Sequence, residues 1–268
     1  MQTYPTISVI IPAYDEARRL EATLRATVVY FRTRQRAVEV IVVDDGSRDG
    51  TGALVQRLSA DFTEIRLIRL PVNRGKGHAV RTGIANASGA HILFMDADGA
   101  FPIAEIERLE TALGAGADAA IGSRFLPSEH GMIGVRWYRR LIGRVFHQLV
   151  ELLAVRGYHD TQCGFKLFNA AVAHDLFSCT QINGFSFDVE LLLLARYRRY
   201  RISEVPVSWA HKPGSRVNLP LDSWRMLREL LVIRARLVRG DYAASHLAPP
   251  APTIPAQTVP LPRSPVTT

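Results

Sequence analysis

An apolar run of strand type, His91-Ile-Leu-Phe-Met95, empties into Asp96-Ala-Asp98. In an open α/β sheet ligands bind beyond the carboxyl ends of the strands, so such a run delivers both acids to a site. Two hard anionic ligands there suit Mg²⁺ or Mn²⁺ carrying a substrate diphosphate. An isolated Asp-x-Asp is more often a turn or a helix cap, so its surroundings must decide. Those surroundings hold further acids in the same kind of place: Glu16 after the first strand pattern, Asp44 and Asp45 after the second. Carboxylates in this number repel one another unless a cation or a hydrogen-bonding ligand balances them. A nucleotide sugar with a divalent metal does both, because the metal bridges carboxylate to diphosphate and a carboxylate can accept from a base N–H or a ribose hydroxyl.

The elements that position these acids follow from hydrophobic periodicity. Ile7 to Pro12 reads as a buried parallel strand, and a helix to about Phe31 follows with Leu20, Leu24 and Val28 on one face. Val38–Val43 is a second strand, with Asp49 or Thr51 capping a helix through Leu58. Ile65 to Leu70 leads into Asn73-Arg-Gly-Lys-Gly77 and a helix to about Ala87. The fourth strand carries the paired acids, a helix near Pro102 runs to about Leu113, and Asp118–Gly122 is a fifth strand ending in Ser123-Arg124. Alternation of this kind predicts an α/β protein with an open, mostly parallel Rossmann-like sheet flanked by helices, joined by right-handed crossovers.

After Arg124 the pattern changes. A mobile loop is expected over 126–135, then a helix over 136–155 with Trp137, Leu141, Val145 and Leu149 at four-residue spacing and Arg136, Arg139, Arg140 and Arg144 in its first turns. Asp160-Thr-Gln-Cys-Gly-Phe-Lys166-Leu-Phe precedes a helix near 170–177, Phe185 to Arg198 reads as a buried helix, and Ile202 to Trp209 is strand-like. A last helix over 221–239 sets Trp224, Leu227, Leu231 and Leu237 against Arg225, Arg228, Arg234, Arg236 and Arg239. The expected organisation is one domain over 1–242, divided into halves at 125, and a tail over 243–268 that holds seven of the fifteen prolines and is expected to be disordered.

Bulk properties narrow the partners. The chain has 268 residues, 47% of them hydrophobic, enough for one large domain or two small ones. A net charge of +8 and a pI near 9.9 point to an anionic partner. Nucleic acid is not expected, because the basic residues lie in two amphipathic helices without interleaved exposed aromatics of the stacking kind. Cys163 and Cys179 form neither a spaced metal motif nor a disulfide framework, which fits a reducing compartment and two core residues. A strand pattern from Ile7 leaves no room for a signal peptide, and no apolar run reaches spanning length, so a cytoplasmic protein lying on the inner face of a membrane is expected. The turn after strand one is Pro-Ala-Tyr-Asp-Glu rather than Gly-x-Gly-x-x-Gly, so a dinucleotide cofactor is not expected, and Gly75-Lys-Gly77 also fails P-loop spacing.

At this point an ordered set of motifs resembles the family 2 inverting glycosyltransferases, of GT-A type: Pro12-Ala-Tyr-Asp-Glu16, Val43-Asp-Asp-Gly-Ser-Arg-Asp-Gly-Thr51, Asn73-Arg-Gly-Lys-Gly77 and Asp96-Ala-Asp98. Gly122-Ser-Arg124, the 160–168 segment, Gly214-Ser-Arg-Val217 and Asp222-Ser-Trp-Arg resemble the dolichyl-phosphate glucosyltransferases within it, and the polyprenyl-phosphate mannosyltransferases somewhat less. The resemblance implies roles. Pro12, Tyr14, Glu16, Val43 and Asp45, with Asp44 adjacent, would surround the nucleoside. Asp96 and Asp98 would hold the metal and diphosphate, Arg124 and Arg216 would reach phosphates, and Asp160 would lie nearest the acceptor. Lys76, Ala97, Gln162 and Lys166 complete the implied substrate contacts. Asp15 stands where the family often has Asn, and Ala100 where the mannosyltransferases carry a Gln that assists the metal.

The expected reaction is metal-dependent transfer of a hexose, glucose from UDP-glucose by this resemblance, onto a polyprenyl phosphate with inversion. GDP-mannose is the alternative donor. A phosphate acceptor is already anionic and needs no strong base, whereas a hydroxyl acceptor would need one, with Asp160 or Glu190 as candidates. The two arginine-bearing amphipathic helices match interfacial helices on an anionic leaflet, or else simply cover the sheet. A nucleotide-sugar-binding protein without turnover is the reading from a different class.

Overall fold

The structure, a computed structural model, describes residues 7–126, 157–210, 212 and 219–242. The loop expected over 126–135 (apart from residue 126), the helix expected over 136–155, Arg216 and the proline-rich tail lie outside the described residues. The elements are β1 (Ile7–Ala13), α1 (Leu20–Thr33), β2 (Val38–Asp44), α2 (Thr51–Asp61), β3 (Ile65–Arg69), α3 (Lys76–Ala85), β4 (His91–Met95), a 3₁₀ turn (Ile103–Glu105), α4 (Ile106–Gly114), β5 (Ala119–Ser123), β6 (Phe165–Asn169), α5 (Ala170–Cys179), α6 (Phe187–Tyr197), β7 (Ile202–Pro206) and α7 (Leu219–Arg239). They build one seven-stranded sheet in the order β3-β2-β1-β4-β6-β5-β7. The direction of winding reverses between β1 and β4, which is where an open α/β sheet leaves a crevice for a ligand.

The strands are buried on both faces because side chains alternate between two cores. Ile7, Val9 and Ile11 of β1 pack with Leu20, Leu24 and Val28 of α1, Leu54 of α2 and Leu109 of α4. Ile10, between them, packs with Ala79 and Val80 of α3 and the leucines of α6. The periodicity of α1 is thus met at full burial.

One strand departs from the sequence reading. β6 pairs antiparallel with both β4 and β5, in register Met95↔Phe165 and Ile121↔Lys166. The 160–168 segment carries no strand alternation, since Cys163, Phe165, Lys166, Leu167 and Phe168 are all buried. An antiparallel strand begins where its parallel neighbours end. Residues 160–164 are therefore delivered to the carboxyl tips of β4 and β5.

At the cap of α2 the residue is Gly50, at φ +93, while Asp49 accepts the Thr51 amide at 3.1 Å. Helix α7 docks through Leu230 and Ile233, both fully buried, and Glu229 accepts the Ser186 amide at the start of α6 at 3.1 Å. Trp224, Leu231 and Val238, spaced by seven residues, instead face outward and are 66%, 53% and 76% exposed. The apolar residues of this helix thus divide between two sides. No helix among the described residues is long and apolar enough to cross a membrane.

Candidate active site

The loop after β4 is held at nearly every residue. The Asp96 amide donates to Gly164 O at 3.0 Å, the Thr23 hydroxyl donates to Ala97 O at 3.0 Å, and the Ala210 amide donates to Ala100 O at 2.9 Å. Asp98 Oδ1 accepts the Ala100 amide at 3.0 Å, Gly99 takes φ +66, and Phe101 stacks on Phe165 at 5.5 Å. Ala97 itself is buried. The result is two carboxylates fixed by their backbone with side chains 29% and 27% exposed at the switch point.

Glu16 and Asp45 lie at the same edge, because the turns after β1 and β2 are laced together. The Asp45 amide donates to Ala13 O at 2.8 Å, the Asp15 amide to Ser47 Oγ at 2.9 Å, and the Glu16 amide to Thr51 Oγ1 at 2.8 Å. Asp15 sits at φ +54 and accepts the Arg48 amide at 2.9 Å. Asp and Asn both tolerate that left-handed conformation, so the departure from Asn is conformationally neutral. Tyr14 is exposed beside them, and Pro12 is half-buried. The Val43 side chain is sealed in the core, so any ligand contact it makes is through backbone.

Every acid has a partner from the chain itself. Lys76 Nζ lies 2.7 Å from Asp96 Oδ1. Arg19 forks onto Glu16, with Nη2 at 2.7 Å from Oε1, and reaches to 4.0 Å from Asp98. Asp45 accepts the Arg74 and Gly75 amides, both at 2.8 Å, although its burial wins and its carboxyl is raised above the usual range. Asp44 accepts the Ser47 amide at 2.9 Å and faces Arg69 at 3.5 Å. Burial would lower the Lys76 ammonium, but Asp96 and then Asp188 outweigh it and hold it above its ordinary value.

The glycines around Lys76 serve the chain, not a phosphate. The Gly77 amide donates to Asn183 O at 2.8 Å. A Cβ at Gly75 would stand 2.4 Å from Asn183 O, and one at Gly77 2.5 Å from Ile182 O. Glu190 fixes that opposing loop. It is fully buried, with Oε2 accepting the Gln181 and Ile182 amides at 2.9 and 2.8 Å and Oε1 accepting the Tyr242 hydroxyl at 2.8 Å. Its place as a general base is therefore corrected to a structural one.

On the other side of Asp96, Arg124 grips Asp160 by a fork, Nε to Oδ2 at 2.7 Å and Nη2 to Oδ1 at 2.8 Å, and its amide adds a third bond at 3.1 Å. Against the burial that would raise it, Arg124 holds the Asp160 carboxyl below the ordinary carboxylate range. Folded-state depression means that this carboxylate stabilises the fold above its unfolded value, near pH 4, and that the stabilisation is lost as pH falls through the lower folded value. Urea unfolding followed from pH 5 down to pH 3 is expected to show a steeper loss of stability in the parent than in D160N.

Lys166 does not face the substrate side. Its ammonium is fully buried, 2.6 Å from Asp188 Oδ1, and also donates to Cys163 O. A direct substrate contact expected of it is therefore corrected to an interior ion pair with Asp188. Burial pushes the neighbouring Cys163 thiol up and leaves it inert. Gln162 is half-buried at the rim.

Sequence reasoning missed Arg19, Asp188 and Gly164. Arg19 had a signal, its i+3 spacing from Glu16. Asp188 had none, since its partner is 22 residues away. A Cβ at Gly164 would stand 2.0 Å from Asp96 Oδ2. G164A is expected to cost about 1–3 kcal/mol by overpacking and to lower activity sharply by displacing the carboxylate, read by thermal melting and turnover; parental activity would show that Asp96 has room to move.

Among the described residues no cluster of three or more His, Cys, Asp or Glu could hold a metal ion. Two partly exposed carboxylates nevertheless fit Mg²⁺ or Mn²⁺ of the kind that takes one or two protein oxygens and completes its shell with substrate phosphates and water. The cation of Lys76 already stands at one of them.

Residues 8–177 match the family described as glycosyl transferase family 2. The dolichyl-phosphate beta-glucosyltransferase of Homo sapiens is 38% identical over 252 residues, 88% of this chain and 77% of that protein. The Drosophila melanogaster protein of the same name is 39% identical over 255 residues, 90% and 78% of the two chains. Among solved structures, glucosyl-3-phosphoglycerate synthase from Mycobacterium tuberculosis, in complex with Mn²⁺, uridine-diphosphate-glucose and phosphoglyceric acid, superposes with a TM-score of 0.62 at 20% identity over 86% of this chain and 78% of that one. Mannosyl-3-phosphoglycerate synthase from Rubrobacter xylanophilus does so with a TM-score of 0.65 at 16% identity, over 94% and 79%. These two share the fold.

Proposed function

The chain belongs to glycosyl transferase family 2, and on that premise we propose that it transfers glucose from UDP-glucose to a dolichyl or polyprenyl phosphate, with inversion at the anomeric carbon. The relatives named above are dolichyl-phosphate beta-glucosyltransferases over most of both chains, which supports glucose and a lipid phosphate. The observation that carries the choice of acceptor is the Arg124–Asp160 fork. Asp160, the acid that the resemblance sets nearest the acceptor, gives both oxygens to Arg124 and is held ionised and weakly basic. A site built this way suits an acceptor that arrives already deprotonated, as a phosphate does.

Each residue then has a task. Tyr14, Glu16 and Asp45, with Pro12, Val43 and Asp44 behind them, bound the nucleoside crevice. Asp96 and Asp98 hold a divalent ion, whose chemistry when bound is Lewis-acid stabilisation of the departing diphosphate. The fork to Asp160 uses Nε and Nη2, so Nη1 of Arg124 lies outside it and can orient the acceptor phosphate. Orientation and charge neutralisation by such groups supply much of the rate for a transfer between anions. Arg216 is assigned to the lipid or donor phosphate on resemblance.

A lipid acceptor places the reaction at a membrane surface. The outward stripe Trp224, Leu231 and Val238, with Arg228, Arg234 and Arg239 exposed beside it, suits reversible docking on an anionic leaflet. The triple variant W224S/L231S/V238S is expected to leave thermal stability unchanged and to lose binding to anionic vesicles in co-sedimentation; unchanged binding would assign docking elsewhere.

The deciding experiment incubates the purified protein with Mn²⁺ or Mg²⁺, a panel of UDP- and GDP-sugars and a short polyprenyl phosphate, and identifies the glycolipid formed. Glucosyl lipid from UDP-glucose, abolished by chelation, is expected. Product from GDP-mannose alone, or transfer only to a soluble hydroxyl acceptor, would overturn the proposal.

A further inference from the structure

We infer that Lys76 is a displaceable counter-ion that makes metal and nucleotide binding depend on each other: it occupies Asp96 in the empty enzyme and exchanges Asp96 for the donor diphosphate when metal and nucleotide arrive together. This rests on the reading above, in which a metal–diphosphate sits at the tip of β4.

The pair is unequal in freedom. Asp96 is backed on one side, because its amide is bonded to Gly164 O at 3.0 Å and its carboxylate lies against the Gly164 α-carbon, where even a methyl would stand 2.0 Å from Oδ2. Lys76 is the first residue of α3. Its backbone is pinned by Gly75 and Gly77 against Asn183, but its four-carbon side chain is 21% exposed and reaches the acid from a neighbouring element at 2.7 Å. Of the two groups, the ammonium on its four-carbon stem has the longer reach and is the freer to move. Behind it, Asp188 is already paired with Lys166 at 2.6 Å, so a displaced Lys76 finds no vacant carboxylate inward. The outward direction leads to the diphosphate.

Charge balance gives the coupling. Metal alone must bind beside an ammonium that holds one of its two ligands. Nucleotide alone must bring a diphosphate toward Asp96 and Asp98. When both bind, the metal would take the carboxylates and the diphosphate would take the metal and Lys76, so each ligand brings the counter-charge that the other lacks. An arrangement of this kind couples two ligands by about 5- to 150-fold.

Mn²⁺ binding is measured on the full chain by loss of the free-ion electron paramagnetic resonance signal, with and without UDP and in each case relative to the same solution without protein, for the parent, K76M and K76R, with D96N as the control for the site. The parent is expected to bind Mn²⁺ at least about tenfold tighter with UDP than without it. K76M, which keeps the length and removes the charge, is expected to bind Mn²⁺ alone about tenfold tighter than the parent and to lose most of the enhancement by UDP. K76R is expected to keep the parental pattern. Equal or weaker Mn²⁺ binding by K76M that melts like the parent, or no enhancement by UDP in the parent, overturns the inference; K76Q replaces K76M if the latter does not fold. Retention of Mn²⁺ affinity in D96N, or no UDP binding at all with Mn²⁺ present, would instead sink the underlying assignment of the site.

Discussion

D98A is expected to fold like the parent and to transfer glucose slower by about three orders of magnitude. Both halves of this result follow from the way Asp98 is held. Its side chain is 27% exposed, accepts one amide hydrogen bond from Ala100, and stands 4.0 Å from Arg19. Removing such a group is expected to change stability by less than about 1 kcal/mol. The loop conformation survives, because Ala97, Ala100 and Phe101 are tied to Thr23, Ala210 and Phe165 independently of that carboxylate. Activity, by contrast, loses one of the two carboxylates proposed for the metal, and no cluster of three or more His, Cys, Asp or Glu stands by among the described residues. Turnover with UDP-glucose and polyprenyl phosphate, read beside a thermal melt, tests it. Activity within tenfold of the parent would remove Asp98 from the site.

R124M is expected to lower stability by about 3–5 kcal/mol, the largest loss expected from any single substitution at the site. The loss comes from the partner left behind. Asp160 has a side chain 2% exposed and takes three hydrogen bonds from Arg124, so removing the guanidinium strands a charge inside the protein. The double variant R124M/D160N is expected to recover much of that stability while remaining inactive, since the cation proposed for the acceptor phosphate is gone in both. Urea unfolding of the parent, both single variants and the double variant gives the coupling directly. Parental stability in R124M would mean that the fork is ornamental, and recovery of activity in the double variant would remove Arg124 from the acceptor.

The sequence by itself determined the alternation of strands and helices, and with it the acids at the ends of β1, β2 and β4. Each of these rests on a local cause. A buried parallel strand is a continuous apolar run, a covering helix repeats at i and i+4, and a turn after a strand must be polar; all are written within a dozen neighbouring residues. The family of the chain was legible for the same reason, since its motifs are short and ordered. Tertiary structure alone decided which charges meet. β6 runs against its neighbours and carries Asp160 and Gly164 to the tip of β4, and no periodicity announces an inserted antiparallel strand that is buried on both faces. Lys166 and Glu190, which look like site residues by type, turn inward to Asp188 and to the 181–182 loop because burial demands a partner for each charge. Lys76 turns outward to Asp96 for the same reason, as a charge settles wherever the fold leaves an opposite one within reach.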